Sequence, residues 1–395
     1  MNKQLLHTPE GVRDIYGLEY ERKLKVEELL HNKIFSYGYR DIQTPSFEFF
    51  DVFSNEIGTT PSKELYKFFD KEGNTLVLRP DFTPSVARCA AKYFMDEKKP
   101  LRFAYMGNAF SNRSELQGKL KESTQMGVEL VGDASVYADA EVISLVIEAL
   151  LNTGLTNFQV SVGNARFFKG LCKELGFSTE MEYTLREYIS NKNFFGAEEY
   201  LINEGVEKEI RSLLLKTNDL IGAVDVLEQA ENIVKNDCSL EAVKRLRDLY
   251  EVLKIYGIEK YVSFDLGMLN KYQYYTGMIF KVYTYGVGDA IVKGGRYDGL
   301  LTQFGKTSPA VGFVILIDDL MQALSRQKIS INEVENRVIL LYKKDLFEKA
   351  LACAKELRSQ NKAVELIEKA DEFTVSDYLK YGAEKNNAEV IYIEE

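Results

Sequence analysis

Eight side chains in four short segments have the types and spacing to build one small-ligand pocket. They are Asp81 and Thr83 in "RPDFTPSVAR", Gln125 and Glu129 in "TQMGVEL", Tyr274 and Tyr275 in "YYTG", and Arg296 with Tyr297 in "GGRYDG". Gln125 and Glu129 lie an even number of residues apart, so on a strand both point to one face of a sheet. A carboxylate and an amide on such a face are costly to bury unless something pairs with them. A cationic amine or a ring N–H would satisfy Glu129 and Asp81, and tyrosine rings would flank a flat ligand with apolar edges. Taken singly, each segment has an ordinary reading: "GGRYDG" alone is a tight turn with a structural arginine. Taken together, they favour a pocket.

The elements that must position these residues can be read from periodicity. Residues 19–37 form a helix ending at Gly38, with Val26, Leu30, Ile34 and Tyr37 as its apolar stripe and His31 as a solvated helix residue. A short strand follows around "YRDIQTPSFEFF", and a turn at Gly73 and Asn74 joins two apolar runs. Pro84 marks a helix start, where its missing N–H has no partner to lose. "LRFAYMGNAF" and "ESTQMGVELVG" read as adjacent antiparallel strands joined by the polar loop 111–121. A helix over about 137–152 and the strand "FQVSVG" come next.

From about 166 to 257 the pattern is helical. Its last helix has Ser239 as the expected N-cap, a Leu240/Val243/Leu246/Leu249/Leu253 stripe and Gly257 as its stop. Strands return in "YVSFDLG", "YTGMIFKVYTYG" and "DAIVKGGRYDG", the last two joined by a Gly-rich hairpin turn. The expected organisation is an α+β domain over 1–320 interrupted by the helical insert, a polar linker over 321–336, and a small β-α-β-α-β domain over 337–395.

Composition narrows the function classes. A chain of 395 residues with 45% apolar content can bury substantial cores. No apolar run approaches the roughly 20 residues of a membrane span, and the opening residues carry no apolar signal region, so a soluble cytoplasmic protein is expected. Cys89, Cys172, Cys238 and Cys353 have no C-x-x-C spacing, and the histidines are His7 and His31 alone. Neither a metal site, a disulfide framework nor histidine-based acid/base catalysis is expected, and no cofactor is implied. With 50 basic against 60 acidic residues the net charge is −10, and no Lys/Arg-rich block would serve a polyanion such as tRNA.

A resemblance becomes specific once the segments are read in order. "TPEGVRD", "SYGYRDIQTPSFE", "LRPDFTPSVAR", "TQMGVELVG", "YYTG", "GGRYDGL" and "PAVGF" follow the order seen in histidyl-tRNA synthetases and in their non-catalytic paralogue, the regulatory subunit of ATP phosphoribosyltransferase. The similarity extends over roughly residues 7–320, with long gaps in the insert. It implies a class II synthetase-like domain, a six-stranded antiparallel sheet flanked by helices, and a homodimer formed through residues around 20–50. It also implies that Asp81, Thr83 and Gln125 bind an α-amino group, that Glu129 and Tyr275 contact an imidazole, and that Tyr274 and Tyr297 pack around the ring. Arg296 is implied either to orient the Gly-rich loop or to meet the ligand carboxylate.

Three departures separate the two relatives. Where the synthetase has an arginine for the ATP α-phosphate, this chain has Ser111; its third-motif arginine corresponds to Asp319; and an arginine before the tyrosine pair corresponds to Asn270, with Lys271 as a possible substitute. Losing one transition-state donor costs about 10²–10³ in rate, and Asp319 adds repulsion toward phosphate. The tail from 331 to 395 carries ten Lys/Arg against fourteen Asp/Glu, poorly suited to an anticodon stem and open to reading as a docking module or a remnant. The expected function is a non-catalytic subunit that binds free histidine and controls a short catalytic ATP phosphoribosyltransferase. An active histidyl-tRNA synthetase and a sensor with another partner are the alternatives.

Overall fold

A computed structural model describes residues 6–54, 60–112, 120–269, 275–331, 337–384 and 388–394. Helix α1 (Gly17–Ser36) buries Val26, Leu30 and Ile34 and ends before Gly38, whose φ of 81° is open to a residue without a Cβ. His31 lies outside that stripe and reaches the Asp41 carboxylate at 2.9 Å. Two short strands, β1 (Arg40–Asp41) and β2 (Phe47–Phe49), and the single turn α2 (Asp51–Ser54) follow. β2 pairs with β4 (Thr75–Leu78), which also pairs with β3 (Lys67–Phe69), giving a small antiparallel sheet. Its outer face is aromatic: Phe47 and Phe49 are 50% and 57% exposed, and Phe47 meets Phe68 edge-on at 5.8 Å.

The main sheet begins after helix α3 (Thr83–Tyr93), which carries Pro84 in its first turn as expected. Strands β5 (Leu101–Phe110) and β6 (Glu122–Val131) are adjacent and antiparallel, in register from Leu101 opposite Val131 to Phe110 opposite Glu122. Helix α4 (Val136–Asn152), capped by the Ser135 hydroxyl, is buried along most of its length because it packs between the sheet and the insert. Strand β7 (Phe158–Asn164) leads into α5 (Ala165–Glu174), α6 (Thr179–Ser190), α7 (Phe194–Asn203) and α8 (Lys208–Lys216). The two-residue strand β8 (Ile221–Gly222) then precedes α9 (Asp225–Ile233) and α10 (Asp237–Tyr256).

The N-cap of α10 differs from the expectation. Asn236 caps it, accepting from the Ser239 N–H, while the Ser239 hydroxyl donates to the Phe167 carbonyl on α5. The stop at Gly257 is as expected, with φ 70°.

Strands β9 (Val262–Asp265), β10 (Met278–Thr284), β11 (Val292–Arg296) and β12 (Ala310–Leu316) complete a nine-stranded sheet in the order β1-β5-β6-β12-β11-β10-β7-β9-β8. The six strands from β5 to β7 are mutually antiparallel, the arrangement the resemblance implies. β1 joins β5, and β9 joins β7, in parallel. Helix α11 (Ile317–Arg326) occupies the start of the stretch read as a linker, because Leu320, Ala323 and Leu324 give it a buried stripe amid polar neighbours.

Residues 1–14 and 26–330 form one compact unit; residues 15–25 and 331–395 form the other. In the second unit β13 (Arg337–Tyr342), α12 (Phe347–Ser359), β14 (Ala363–Glu368), α13 (Val375–Glu384) and β15 (Glu389–Ile393) give the expected β-α-β-α-β order. The three strands are parallel, with β13 central. Val338, Leu340 and Ala354 centre its core.

Candidate functional site

Most of the candidate residues gather on one face of the main sheet. On β6 that face carries Gln125, Gly127 and Glu129; across the ladders it continues through Gly107, Tyr105 and Phe103 on β5 and through Gly312 and then Gly295 on β12 and β11. Three of the glycines are needed for space. A Cβ on Gly312 would lie 1.8 Å from Glu129 Oε2, one on Gly295 2.8 Å from the Tyr275 ring, and one on Gly127 2.4 Å from the Tyr105 hydroxyl. The Glu129 carboxyl and the Tyr105 and Tyr275 rings thus occupy space that a Cβ on these three glycines would fill.

The turn from β4 into α3 supplies the wall. The Thr83 N–H donates to Asp81 Oδ1 at 2.8 Å, closing a local turn, and the Thr83 hydroxyl donates across to Glu129 Oε1 at 2.7 Å. The Tyr297 hydroxyl donates to Glu129 Oε2. Glu129 is 1% exposed, and burial, with the Asp81 charge added, pushes its pKa up to about 8 against the pull of the Tyr297 and Thr83 donors. Burial, then the charges of Glu129 and Asp81, also raises the Tyr105 and Tyr275 hydroxyls well above the ordinary phenol range, so both remain protonated.

A carboxyl balanced near neutrality beside protonated phenols can either accept from a ring N–H or donate to a bare ring nitrogen. That suits an imidazole, whose own protons exchange in the same range.

The structure therefore brings together Asp81, Thr83, Glu129, Tyr275 and Tyr297, and puts the 9% exposed Gln125 on the same sheet face. Tyr105, stacked on Phe82 at 4.5 Å, belongs to the same cluster but was not among the candidates from the sequence. Its signal was the alternation of "LRFAYMGNAF", which sets it on the face of Gly107.

Arg296 does not join them. Its neighbour Tyr297 faces Glu129, so strand alternation turns Arg296 to the reverse side. There its Nε and Nη2 reach Asp139 Oδ1 at 2.9 and 2.6 Å, and Nη1 reaches the Asp133 carbonyl at 3.0 Å. Arg245 holds the other Asp139 oxygen, and these groups line a separate groove of about 290 Å³ with Arg166, Thr276 and Asp298. Asn270, Lys271 and Tyr274 lie outside the described residues. Ser111 extends the β5–β6 ladder, its N–H donating to the Lys121 carbonyl at 2.8 Å, and Asp319 lies in the first turn of α11.

Comparisons with known proteins identify the family and the fold. The family model described as histidyl-tRNA synthetase matches residues 11–320. A protein of Acetivibrio thermocellus named ATP phosphoribosyltransferase regulatory subunit is 42% identical over 361 residues, covering 91% of this chain and 86% of that protein. One of the same name from Ruminiclostridium cellulolyticum is 38% identical, covering 100% and 93%.

Among solved structures, an ATP phosphoribosyltransferase regulatory subunit/histidyl-tRNA synthetase from Bacillus halodurans superposes with a TM-score of 0.87 at 32% identity, covering 98% of each chain. A histidyl-tRNA synthetase from a Nostoc species, at 21% identity and TM-score 0.81, shares the fold over 96% of this chain and 89% of that one. On identity, coverage and fold alike, this chain belongs to the ATP phosphoribosyltransferase regulatory subunits, a family built on the histidyl-tRNA synthetase fold.

Proposed function

We propose that this regulatory subunit binds free histidine at the Glu129 site and controls a short-form catalytic ATP phosphoribosyltransferase allosterically, without catalysing a reaction itself. The observation that carries the reading is Glu129: a buried carboxyl held by Thr83 and Tyr297, walled by tyrosines and balanced near neutral pH. The nucleotide side is correspondingly poor. Ser111 and Asp319 stand where the synthetase resemblance calls for phosphate-binding arginines, and an acidic side chain in the first turn of α11 counters the attraction of that helix end for phosphate.

Control requires that histidine bind one conformation better than another, with the difference transmitted to the partner; by linkage, partner ligands that oppose histidine lower its affinity by the same factor. The exposed Phe47 and Phe49, in the segment implied for dimerisation, with Phe68 beside them, support a homodimer within a larger hetero-oligomer, since aromatic patches of this kind mark protein contacts. The net charge of −10 argues against tRNA as a partner, and a cytoplasmic location follows from a role beside a biosynthetic enzyme.

The test is reconstitution with the catalytic subunit. Histidine is expected to inhibit the complex containing the wild-type chain and to lose most of that effect with Glu129→Gln. Equal inhibition of both complexes would remove the site from the control mechanism.

A further inference from the structure

An amino acid carries its amino and carboxylate groups on one carbon, so the groups that hold them must be neighbours. The amino side of the proposed site is Asp81, Thr83 and Gln125, and the cation for the carboxylate has to stand beside them. Arg296 is on the reverse face and committed to Asp139. Lys293 and Lys281 share the pocket face and lie opposite each other on β11 and β10. They already stand among carboxylates: Lys293 pairs with Asp289 at 3.4 Å, and Asp289 and Asp265 both act on Lys281.

Arg79 is different. It precedes Asp81 by two residues and is 6% exposed. Its Nε donates to the Asn108 carbonyl at 2.8 Å, its Nη1 donates to the Thr44 carbonyl at 2.9 Å, and its guanidinium lies 3.9 Å from the centre of the Phe82 ring. Among the described residues none accepts from Nη2, and no carboxylate forms an ion pair with the group. Glu48, the acidic side chain that acts on it, is held by Arg88 at 2.8 and 3.1 Å. Nη2 hangs over the sheet at Gly107, where a Cβ would stand 2.7 Å away, and Gly107 is the cross-strand partner of Gln125. Nη1 also reaches the Pro45 carbonyl at 3.3 Å, so with Nε and Nη1 committed to carbonyls it is Nη2 that keeps N–H donors for an anion, on a guanidinium that no described carboxylate bonds.

We propose that Arg79 binds the α-carboxylate of the amino acid through Nη2, a role that rests on the histidine-site reading above. Burial lowers its pKa from the ordinary value, with Glu48 opposing, as expected for a cation awaiting its counter-charge.

The experiment titrates the wild-type chain, Arg79→Gln and Arg79→Lys with L-histidine and with L-histidinol, which keeps the ring and amine but has an alcohol in place of the carboxylate. The wild type is expected to prefer histidine. Arg79→Gln should lose on the order of 10- to 100-fold in histidine affinity, the worth of one charged hydrogen bond, while histidinol binding stays within about twofold. Arg79→Lys keeps the charge and most of the stem and should narrow the preference several-fold; that arm decides if the glutamine variant does not fold. Parallel loss of both ligands, or a preference unchanged in the folded variants, overturns the role of Arg79. A wild-type chain that binds neither ligand removes the histidine-site reading, and the proposal with it.

Discussion

Glu129 concentrates the chemistry of this molecule in one carboxyl. Its pKa is about 8 in the folded chain against an ordinary 4.5, so between those values the folded state holds a proton that the unfolded state has released. The sign follows: this group's contribution to stability is fully present below pH 4.5 and is lost as pH rises to about 8. Denaturation at a series of pH values should show wild-type stability falling over that window relative to Glu129→Gln, whose amide cannot ionise. A parallel pair of curves would contradict the buried, proton-holding carboxyl.

Gly312 offers a second test at the same scale. A methyl group there would collide with Glu129 Oε2, so Gly312→Ala should cost about 1–3 kcal/mol in denaturant and weaken histidine binding together. Much of this candidate site was legible in the sequence, because a carboxylate and an amide at even spacing share one strand face where a core strand would be apolar. The alternation that joins Gln125 to Glu129 also separates Arg296 from Tyr297, so of its two expected roles Arg296 is turned away from the ligand carboxylate and instead braces the "GGRYDG" turn through Asp298. The alternation of β5 reveals Tyr105, whereas Arg79 is positioned by the Phe82 ring and by the Asn108 and Thr44 carbonyls, which no local spacing reveals.

The elements behind the pocket are braced by one buried anion. Asp139 on α4 is 0% exposed and accepts from Arg296 on β11 and from Arg245 on α10, tying sheet, helix and insert together. Asp139→Asn leaves two guanidinium groups around a neutral amide, and the expected loss is about 3–5 kcal/mol in denaturant. Histidine affinity of the folded variant should stay within about twofold. A selective loss of histidine binding would return Arg296 to the ligand site.

Element types were readable wherever a period persisted: the β5–β6 ladder and the β-α-β-α-β tail follow their alternation. Two-residue strands such as β1 and β8 have no period to read. Ser239 precedes the stripe of α10 and so reads as a cap, whereas the cap is Asn236 one turn earlier, whose side chain accepts from the Ser239 N–H. Asn236→Ala should accordingly cost about 1 kcal/mol.

At the scale of the whole molecule, the chain has the histidyl-tRNA synthetase fold, and the proposed function reads it as a scaffold that keeps an amino-acid site while Ser111 and Asp319 stand where phosphate-binding arginines are called for. The exposed aromatic sheet face predicts a homodimer, so sedimentation should give about twice the 45.1 kDa chain mass, and Phe49→Glu should shift the chain toward monomer. An unchanged dimer would place the contact elsewhere. The central claim is tested most directly by calorimetric titration of the purified wild-type chain with histidine, with Glu129→Gln as the comparison. The account predicts a saturable binding event for the wild type and affinity reduced roughly 10- to 100-fold in the variant. No heat of binding for the wild type, or equal affinity in the two proteins, would contradict it.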